Sequence, residues 1–221
     1  MTHRVRVWDL PTRLFHWTLF ASVVGLVVTA KSGGNAMVWH FRLGYVVLAL
    51  LLFRIIWGLV GGRWSRFSSF IYAPSTLVRY LRGQGGPELS IGHSPLGAGS
   101  VFAMLGALAL QVLSGLSSDD EIAFAGPLSR FVPGDVVRLS TWYHEAVGQW
   151  LVIALIVLHV AAVLYYLRRK KNNLITPMVR GDKHLAAPSV SSRDDTGSRV
   201  LALVLLAACA MLANWVAGLG Y

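Results

Sequence analysis

The feature that most constrains this chain is an apolar stretch over residues 140–167, which is long enough to cross a lipid bilayer as a helix. It carries a histidine near each end, His144 and His159, fifteen positions apart. In a regular α-helix that spacing covers about 22 Å and a net rotation of about 60°. One helix would therefore present an imidazole near each membrane surface. A histidine in a membrane span is either a functional group or an interhelical hydrogen-bond partner, and this stretch alone leaves both open.

The rest of the 221-residue chain has the composition of a polytopic membrane protein, with 55% hydrophobic and 14% charged residues. Further apolar runs predict spans at about 14–30, 38–60, 96–116 and 200–217. Between the second and third spans, residues 74–81 can form a short amphipathic helix on the membrane surface, with Arg79 and Arg82 near lipid head groups.

The first run resembles a signal peptide in outline, with Val28-Thr29-Ala30 as a candidate cleavage site. Its aromatic-rich entry, WDLPTRLFHW, and the polar His16 within the run favour a retained helix instead. Asp9-Leu10-Pro11 is a plausible helix start, because proline is tolerated in a first helical turn.

The basic residues predict the orientation. The loops predicted to lie outside hold only Lys31, Arg42, Arg130 and Arg138 of the 20 basic residues. The positive-inside rule therefore places the N-terminus in the cytoplasm and, with five spans, the C-terminus outside the inner membrane. Because the cations flank apolar runs, the net charge of +10 indicates topology and anionic lipid contact, and a nucleic-acid partner is not expected.

With this topology four histidines fall at two depths. His40 and His144 lie near the outer ends of their helices, and we call them the outer pair; His16 and His159 lie near the cytoplasmic ends, and we call them the inner pair. Two imidazoles on facing helices are what a six-coordinate haem b needs for its axial positions. Histidines at two depths cannot share one ion, so two haem b cofactors are predicted.

Cysteine usage and the other histidines limit the alternatives. The single cysteine, Cys209, excludes an internal disulfide and any CxxC site, and without a CxxCH motif the haems are not held by thioether bonds. His3, His93 and His184 fall in the N-terminal tail or in cytoplasmic loops and are expected to be solvated.

Two glycines and one arginine are further candidates for haem binding. Gly44 and Gly148 each follow a histidine of the outer pair by four residues, where a missing side chain would let a macrocycle lie against the backbone. Arg54 follows His40 by fourteen residues, about 21 Å deeper on the same face. It either meets a propionate of the inner haem or snorkels to the inner interface.

A loop between the third and fourth spans carries Asp119, Asp120 and Glu121 together on the predicted outer side. It either forms a solvated acidic turn or helps to dock a basic redox partner.

The chain resembles the bacterial cytochrome b561 family, which includes the b-type cytochrome subunits of nickel–iron hydrogenases. The segments that carry the resemblance lie between about residues 7 and 180: VWDLPTRLFHW, WHFRLGYVVLALLLFRIIWGLVG, GHSPLG and YHEAVGQWLVIALIVLHV. It implies a four-helix core with two b haems held by histidines of the first, second and fourth helices, which here are His16, His40, His144 and His159. The fifth span lies outside these segments, and either a partner subunit or a second copy of the chain would contact it.

The sequence therefore predicts an all-α integral membrane protein, in which a four-helix transmembrane bundle holds two haems and a fifth C-terminal transmembrane helix follows. We expect a dihaem core over 1–180, a cytoplasmic linker over 181–198 and the last helix over 199–221. The expected function is transmembrane electron transfer between the quinone pool and an outer redox partner, either a periplasmic c-type cytochrome or an oxidoreductase subunit. The rival is a stand-alone superoxide:quinone oxidoreductase. A transporter with a histidine proton relay is a weaker third alternative.

Overall fold

The computed structural model describes residues 2–220 and is mainly helical. In chain order its elements are β1 (His3–Arg6), α1 (Leu10–Ser32), α2 (Ala36–Val60), α3 (Pro74–Leu81), α4 (Pro95–Leu116), α5 (Gly134–Trp142), a π-helical segment (Tyr143–Gly148), α6 (Gln149–Arg168), α7 (Ile175–Arg180), β2 (Asp182–Leu185) and α8 (Thr196–Gly218). Within the described residues, five helical stretches are long and apolar enough to cross a membrane, which confirms the predicted spans. The short helix predicted over 74–81 is α3, with the predicted bounds.

The fourth span is longer and less regular than predicted. It is continuous from Gly134 to Arg168, so it begins six residues before the predicted start at residue 140. Residues Tyr143–Gly148 form a π-helical segment between α5 and α6. A π turn takes up one more residue than an α turn, so the rotation of about 60° expected for fifteen regular positions does not apply between His144 and His159.

The first span also begins earlier than its apolar run, because polar groups cap it. Asp9 Oδ1 accepts the Thr12 amide N–H at 2.8 Å, which satisfies a first-turn donor that has no helical partner. Asp194 Oδ1 accepts the Leu10 amide at 3.1 Å. Pro11 lies in the first turn, as predicted.

Two short strands connect the predicted linker to the N-terminal tail. β1 and β2 pair antiparallel, with Arg6 opposite Asp182. Arg6 also reaches Asp194 at 2.9 Å. Burial alone would raise the pKa of Asp194. Hydrogen bonds from Arg199 and the Leu10 amide, together with the charge of Arg6, lower it by more, so the pKa lies below the usual value. The linker is thus held by strand pairing and ion pairs.

The described chain divides into two compact units. The first comprises the chain up to Phe15, Arg54–Ala103 and Val157–Val204. It contains the small sheet, and the members of its apolar cluster come from β1, the loops, α7 and β2: Val5, Val7, Trp8, Trp64, Ile91, Met178 and Leu185.

The second unit comprises His16–Phe53, Met104–Ile156 and the chain from Leu205. Its buried apolar cluster draws on four of the long helices: Val23, Val47, Leu51, Ala107, Leu108 and Val152. Interdigitated aliphatic side chains of this kind fix the helices that carry the outer pair.

The fifth long helix, α8, buries a stripe of small residues along one face: Ser198, Ala202, Cys209 and Ala213. Small residues let helices approach closely in a membrane. This face of α8 is therefore covered by the chain itself, and the opposite face, with Leu203 and Met211 more than 60% exposed, is the one left for lipid or another subunit.

One of the histidines expected to be solvated is packed. The His93 ring lies between Trp8 and Phe70, with ring centroids 4.6 and 4.5 Å away. The expectation of a solvated His93 was wrong, because aromatic residues distant in sequence cover the loop. His3 and His184 are exposed, as predicted.

Candidate functional site: facing histidines within the helices

The outer pair is brought together by the second unit. His40 lies on α2 and His144 in the π-helical segment, and their ring centroids are 6.2 Å apart with perpendicular ring planes. Two imidazoles that bind one metal ion from opposite sides have centroids roughly 6 Å apart, because a metal lies about 2 Å from each nitrogen and each centroid about 1 Å beyond it. The spacing of the outer pair therefore suits one iron between the two rings.

Hydrogen bonds fix which nitrogen of each ring is available. His40 Nδ1 lies 3.0 Å from the Leu26 carbonyl oxygen, and His144 Nδ1 lies 2.9 Å from the Gln111 carbonyl oxygen. A carbonyl only accepts, so each Nδ1 carries a proton and donates it. Each Nε2 then keeps its lone pair, which is the arrangement that metal-binding histidines commonly show.

The supporting carbonyls come from helices that carry neither ring of the pair. Leu26 belongs to α1 and Gln111 to α4. Hydroxyl groups reinforce both sides, since Thr29 Oγ1 lies 3.4 Å from His40 Nδ1 and Ser114 Oγ lies 3.4 Å from His144 Nδ1. Four helical segments of one unit thus cooperate in orienting two imidazoles.

Glycines around the pair differ in what surrounds them. A Cβ at Gly44 would meet no atom within 4 Å, so open space lies beside α2 there. A Cβ at Gly148 would collide with the Gln111 side chain and lie 2.7 Å from Tyr143 Cε1. A Cβ at Gly115 would lie 2.6 Å from His144 Cε1. The close approach of Gly115 to the imidazole was missed at the sequence level, because nothing in the local pattern of α4 relates it to a histidine 29 residues later.

The two histidines of the inner pair lie in different compact units. His16 belongs to the second unit and His159 to the first. Both rings are half-buried, and His16 meets the edge of Trp17 at 5.1 Å between ring centroids. The pairing of His16 with His159 therefore stays a prediction.

Arg54 is buried and does not snorkel. Its side chain is 3% exposed, and its guanidinium lies over the Phe67 ring at 4.7 Å from the centroid. Phe67 can reach this position because its ring fills the space beside Gly58, one turn along α2. The snorkelling alternative was wrong, because the Phe67 ring covers the guanidinium.

The nearest acid does not satisfy Arg54 by a hydrogen bond. The Asp9 carboxylate accepts from the Thr12 amide at 2.8 Å, from Trp57 Nε1 at 3.2 Å and from Ser65 Oγ at 2.6 Å. It attracts Arg54 only electrostatically. Arg54 Nη1 is buried and has no hydrogen-bond partner among the described residues. Leaving a buried charged donor unmatched is costly, so Nη1 is suited to an acidic group from outside the polypeptide.

These residues fit a haem and not a bare metal ion. Among residues 2–220, no group of three or more His, Cys, Asp or Glu side chains converges to hold a metal. A haem supplies its own four equatorial nitrogens and needs only two axial imidazoles, which the outer pair offers. Tyr143 Oη, next to His144 in sequence, is also buried without a hydrogen-bond partner in the part of the chain that the structure describes, so a second buried donor is left for a carboxylate.

An open groove of about 530 Å³ lies in the same unit as the outer pair, and two of its lining residues, Trp142 and Glu145, are close to His144 in sequence. Its lining includes Glu145 and the three carboxylates of the predicted acidic loop, Asp119, Asp120 and Glu121. Backbone amides of Phe124, Ala123 and Ile122 donate to Asp120 and lower its pKa. The loop is therefore ordered by one of its own acids, and Ile122 at its tip is 91% exposed.

Comparison with known proteins assigns the family. The family model described as prokaryotic cytochrome b561 matches residues 7–181. The chain is 24% identical to the probable Ni/Fe-hydrogenase 1 B-type cytochrome subunit of Escherichia coli (strain K12), over 85% of this chain and 94% of that protein. It is 28% identical to the probable Ni/Fe-hydrogenase B-type cytochrome subunit of Azotobacter vinelandii, over 80% of this chain and 87% of that protein. No solved structure matches the chain. The chain therefore belongs to the prokaryotic cytochrome b561 family and is a multi-pass membrane electron-transfer protein whose cofactor is haem b.

Proposed function

We propose that the protein carries electrons across the membrane between the quinone pool and a redox partner at the outer face. The outer pair, His40 and His144, binds one haem, and the inner pair, His16 and His159, binds the other. A count of two haems is typical of the family. The observation that carries the proposal is the 6.2 Å separation of the outer ring centroids, with each ring donating its Nδ1–H to a backbone carbonyl oxygen.

Two protein ligands per haem leave the iron no open position, which favours electron transfer over binding or activation of oxygen. When bound, the haem supplies the one-electron chemistry. The protein supplies orientation and exclusion of water: carbonyls of α1 and α4 fix the two imidazoles, and aliphatic side chains fill the unit around them.

The orientation in the bacterial inner membrane follows from the basic residues. The N-terminus is cytoplasmic and the C-terminus periplasmic. The short elements β1, α3, α7 and β2 belong to the first unit, which also holds most of the arginines and lysines. A folded basic region of this kind suits the cytoplasmic surface, where anionic lipid head groups lie.

Arg54 belongs to the inner haem in this proposal. It lies in the same unit as His159, and its buried Nη1 is unmatched among the described residues. A propionate would supply the missing acceptor. Gly44, beside open space on α2, is proposed to border the outer macrocycle, whereas Gly148 makes room for a neighbouring side chain.

The outer partner is proposed to be an oxidoreductase subunit or a periplasmic c-type cytochrome. The E. coli and Azotobacter vinelandii relatives are named as hydrogenase subunits, which favours a hydrogenase among the oxidoreductases. The groove beside the acidic loop is the proposed docking place, because its carboxylates attract a basic surface and its exposed Ile122 offers an apolar contact. The free face of α8 is where membrane lipid, a partner subunit or a second copy would pack.

Neutralising the loop separates this proposal from the rival enzyme. The triple variant Asp119→Asn, Asp120→Asn and Glu121→Gln keeps the acceptor oxygens that order the loop. We expect electron exchange with a basic c-type cytochrome to slow about tenfold at low salt and to lose most of its salt dependence, because electrostatic steering is removed. Stopped-flow absorbance of the haems measures the rate.

The same variant gives the opposite result for a superoxide:quinone oxidoreductase. Superoxide is an anion that would give one electron to the haem and leave as O₂, so removing three carboxylates would speed its reaction. Glu88→Gln, which neutralises an exposed acid of the first unit, is the control. If a basic partner reacted equally fast with the neutralised protein, docking at the loop would be contradicted. If the unaltered protein oxidised superoxide rapidly and the variant did so at a higher rate, the rival enzyme would be favoured.

A further inference from the structure

Helix α4 carries no histidine of either pair, yet it makes the closest polar contacts to His144. We propose that Gln111 is a positioning residue of the outer haem site, which holds the π-helical segment in the geometry that aims the His144 imidazole. The proposal rests on ligation of the outer haem by His144. It assigns a role in haem binding to a buried amide that neither the sequence pattern nor the family resemblance singled out.

The first step of the argument is the side chain of Gln111. Its Nε2 donates to the His144 carbonyl oxygen at 3.0 Å. This carbonyl lies within the π-helical segment Tyr143–Gly148. Such segments are rare because their backbone packing is poorer than that of an α-helix, and they are frequent at functional sites. A side-chain donor from a second helix is therefore a specific support for this irregular turn.

The amide can point only one way. The His144 carbonyl is an acceptor, so it selects the nitrogen of Gln111 and excludes the oxygen. Oε1 of Gln111 is then buried with no hydrogen-bond partner among the described residues. Burying a polar amide in an apolar helix face is unfavourable unless hydrogen bonds within the protein compensate for the lost hydration. Here the bond that is made goes to the backbone of the haem ligand itself.

Gly148 provides the space for this amide. A Cβ at Gly148 would collide with Gln111 Oε1 and lie 3.1 Å from Gln111 Cδ. Gly148 is buried at the end of the π-helical segment. The glycine at this position is thus explained by the approach of Gln111 to the turn.

The main chain of Gln111 orients the imidazole ring of His144. The Gln111 carbonyl oxygen accepts His144 Nδ1–H at 2.9 Å, so one residue of α4 contacts both the backbone and the ring of the ligand. Ser114 and Gly115 lie three and four positions later, on the same helix face. Ser114 Oγ is 3.4 Å from Nδ1, and Gly115 lets the ring approach the α4 backbone. Three residues at helical spacing therefore form a seat for His144.

The effect of losing the side chain follows from its place in this seat. Gln111→Leu keeps the carbonyl and most of the volume but removes the donor, so the π-helical segment is free to relax and rotate the ring. Groups that hydrogen-bond a metal-binding histidine and orient it typically contribute about 10–100-fold to metal affinity. We expect Gln111→Leu to release the outer haem about tenfold faster and to shift its low-spin electron paramagnetic resonance signal.

The experiment uses the haem-loaded protein in detergent and measures haem transfer to apomyoglobin together with the low-spin spectrum. Asn214→Leu is the control, because Asn214 is an exposed amide of α8 in the same unit, outside the π-helical segment. Gly148→Ala is the second variant, since a methyl group there displaces the Gln111 amide. We expect it to reproduce the shift seen in Gln111→Leu, and the inner haem signal reports in every variant that the protein is folded.

The outcomes separate the positioning role from the ligation on which it rests. An unchanged outer signal and release rate in both Gln111→Leu and Gly148→Ala would overturn the positioning role while ligation by His144 stands. If His144→Ala itself retained both haems with unchanged spectra, the ligand assignment would be wrong instead. A shift caused equally by Asn214→Leu would also overturn the proposal, because the effect would not be specific to the seat of His144.

Discussion

Replacing His144 by alanine is expected to lower the haem content from two towards one per chain. The outer haem would then keep only His40 as a protein ligand, and the opposite axial position would be lost. The inner haem would keep its spectrum, because His16 and His159 are unchanged. Pyridine haemochrome analysis of the purified variant measures the count, and its low-spin spectrum shows which haem remains.

The complementary variant gives this prediction its control. His159→Ala is expected to remove the other haem, and the double variant both. His184→Ala, an exposed histidine of β2, should leave two haems. If His144→Ala and His159→Ala removed the same haem, the pairing by depth would be wrong.

Replacing Arg54 by leucine is expected to lower the reduction potential of the inner haem. A positive charge stabilises the reduced haem, which carries one less positive charge than the oxidised form, so its removal favours the oxidised form. A unit charge at about 10 Å in an effective dielectric constant of about 20 contributes about 1.7 kcal/mol. For a one-electron couple this is roughly 70 mV. A spectroelectrochemical titration that resolves the two haems measures the shift.

Two further variants separate charge from packing. Arg54→Lys keeps the charge and is expected to retain most of the potential, although it loses the planar contact with Phe67. Arg66→Leu removes an exposed arginine of the same unit and should have little effect. An inner-haem potential that is unchanged or higher in Arg54→Leu would exclude the propionate role.

Much of the membrane architecture could be predicted because hydrophobic length is a local property. The five apolar runs and the amphipathic segment over 74–81 each become helices near their predicted bounds. The approach of His40 to His144 was also predictable, since topology alone puts two histidines at one depth. The start of α1 at Asp9-Leu10-Pro11 was predictable too, because a capping acid and a first-turn proline are local signals.

The remaining features depend on contacts between distant residues. The π-helical segment around His144 has no recognised local pattern, and the side-chain hydrogen bond to the His144 carbonyl comes from Gln111, 33 residues earlier. His93 was expected in solvent but is enclosed by Trp8 and Phe70. β1 and β2 are four residues each and pair across more than 170 positions, so neither strand is indicated by its own periodicity.

The burial of Arg54 likewise depends on a residue that is not its neighbour in sequence. Helical spacing from His40 predicted only its position along α2, and spacing does not distinguish a buried guanidinium from a snorkelling one. The distinction depends on Phe67, which lies thirteen residues later in a loop and covers the charge. Where tertiary contacts select between two local alternatives, the sequence alone leaves both open.

The central claim is that electrons cross the membrane through both haems, and the direct measurement is vectorial transfer in sealed vesicles. The protein is inserted with its outer face exposed, the bilayer contains reduced quinone, and ferricyanide, which does not cross the membrane, is added outside. We expect ferricyanide reduction with the unaltered protein and its loss in both His159→Ala and His144→Ala, because removing either haem interrupts the path. Reduction at full rate in His159→Ala would contradict the account, since electrons would then reach the outer face without crossing from the inner haem.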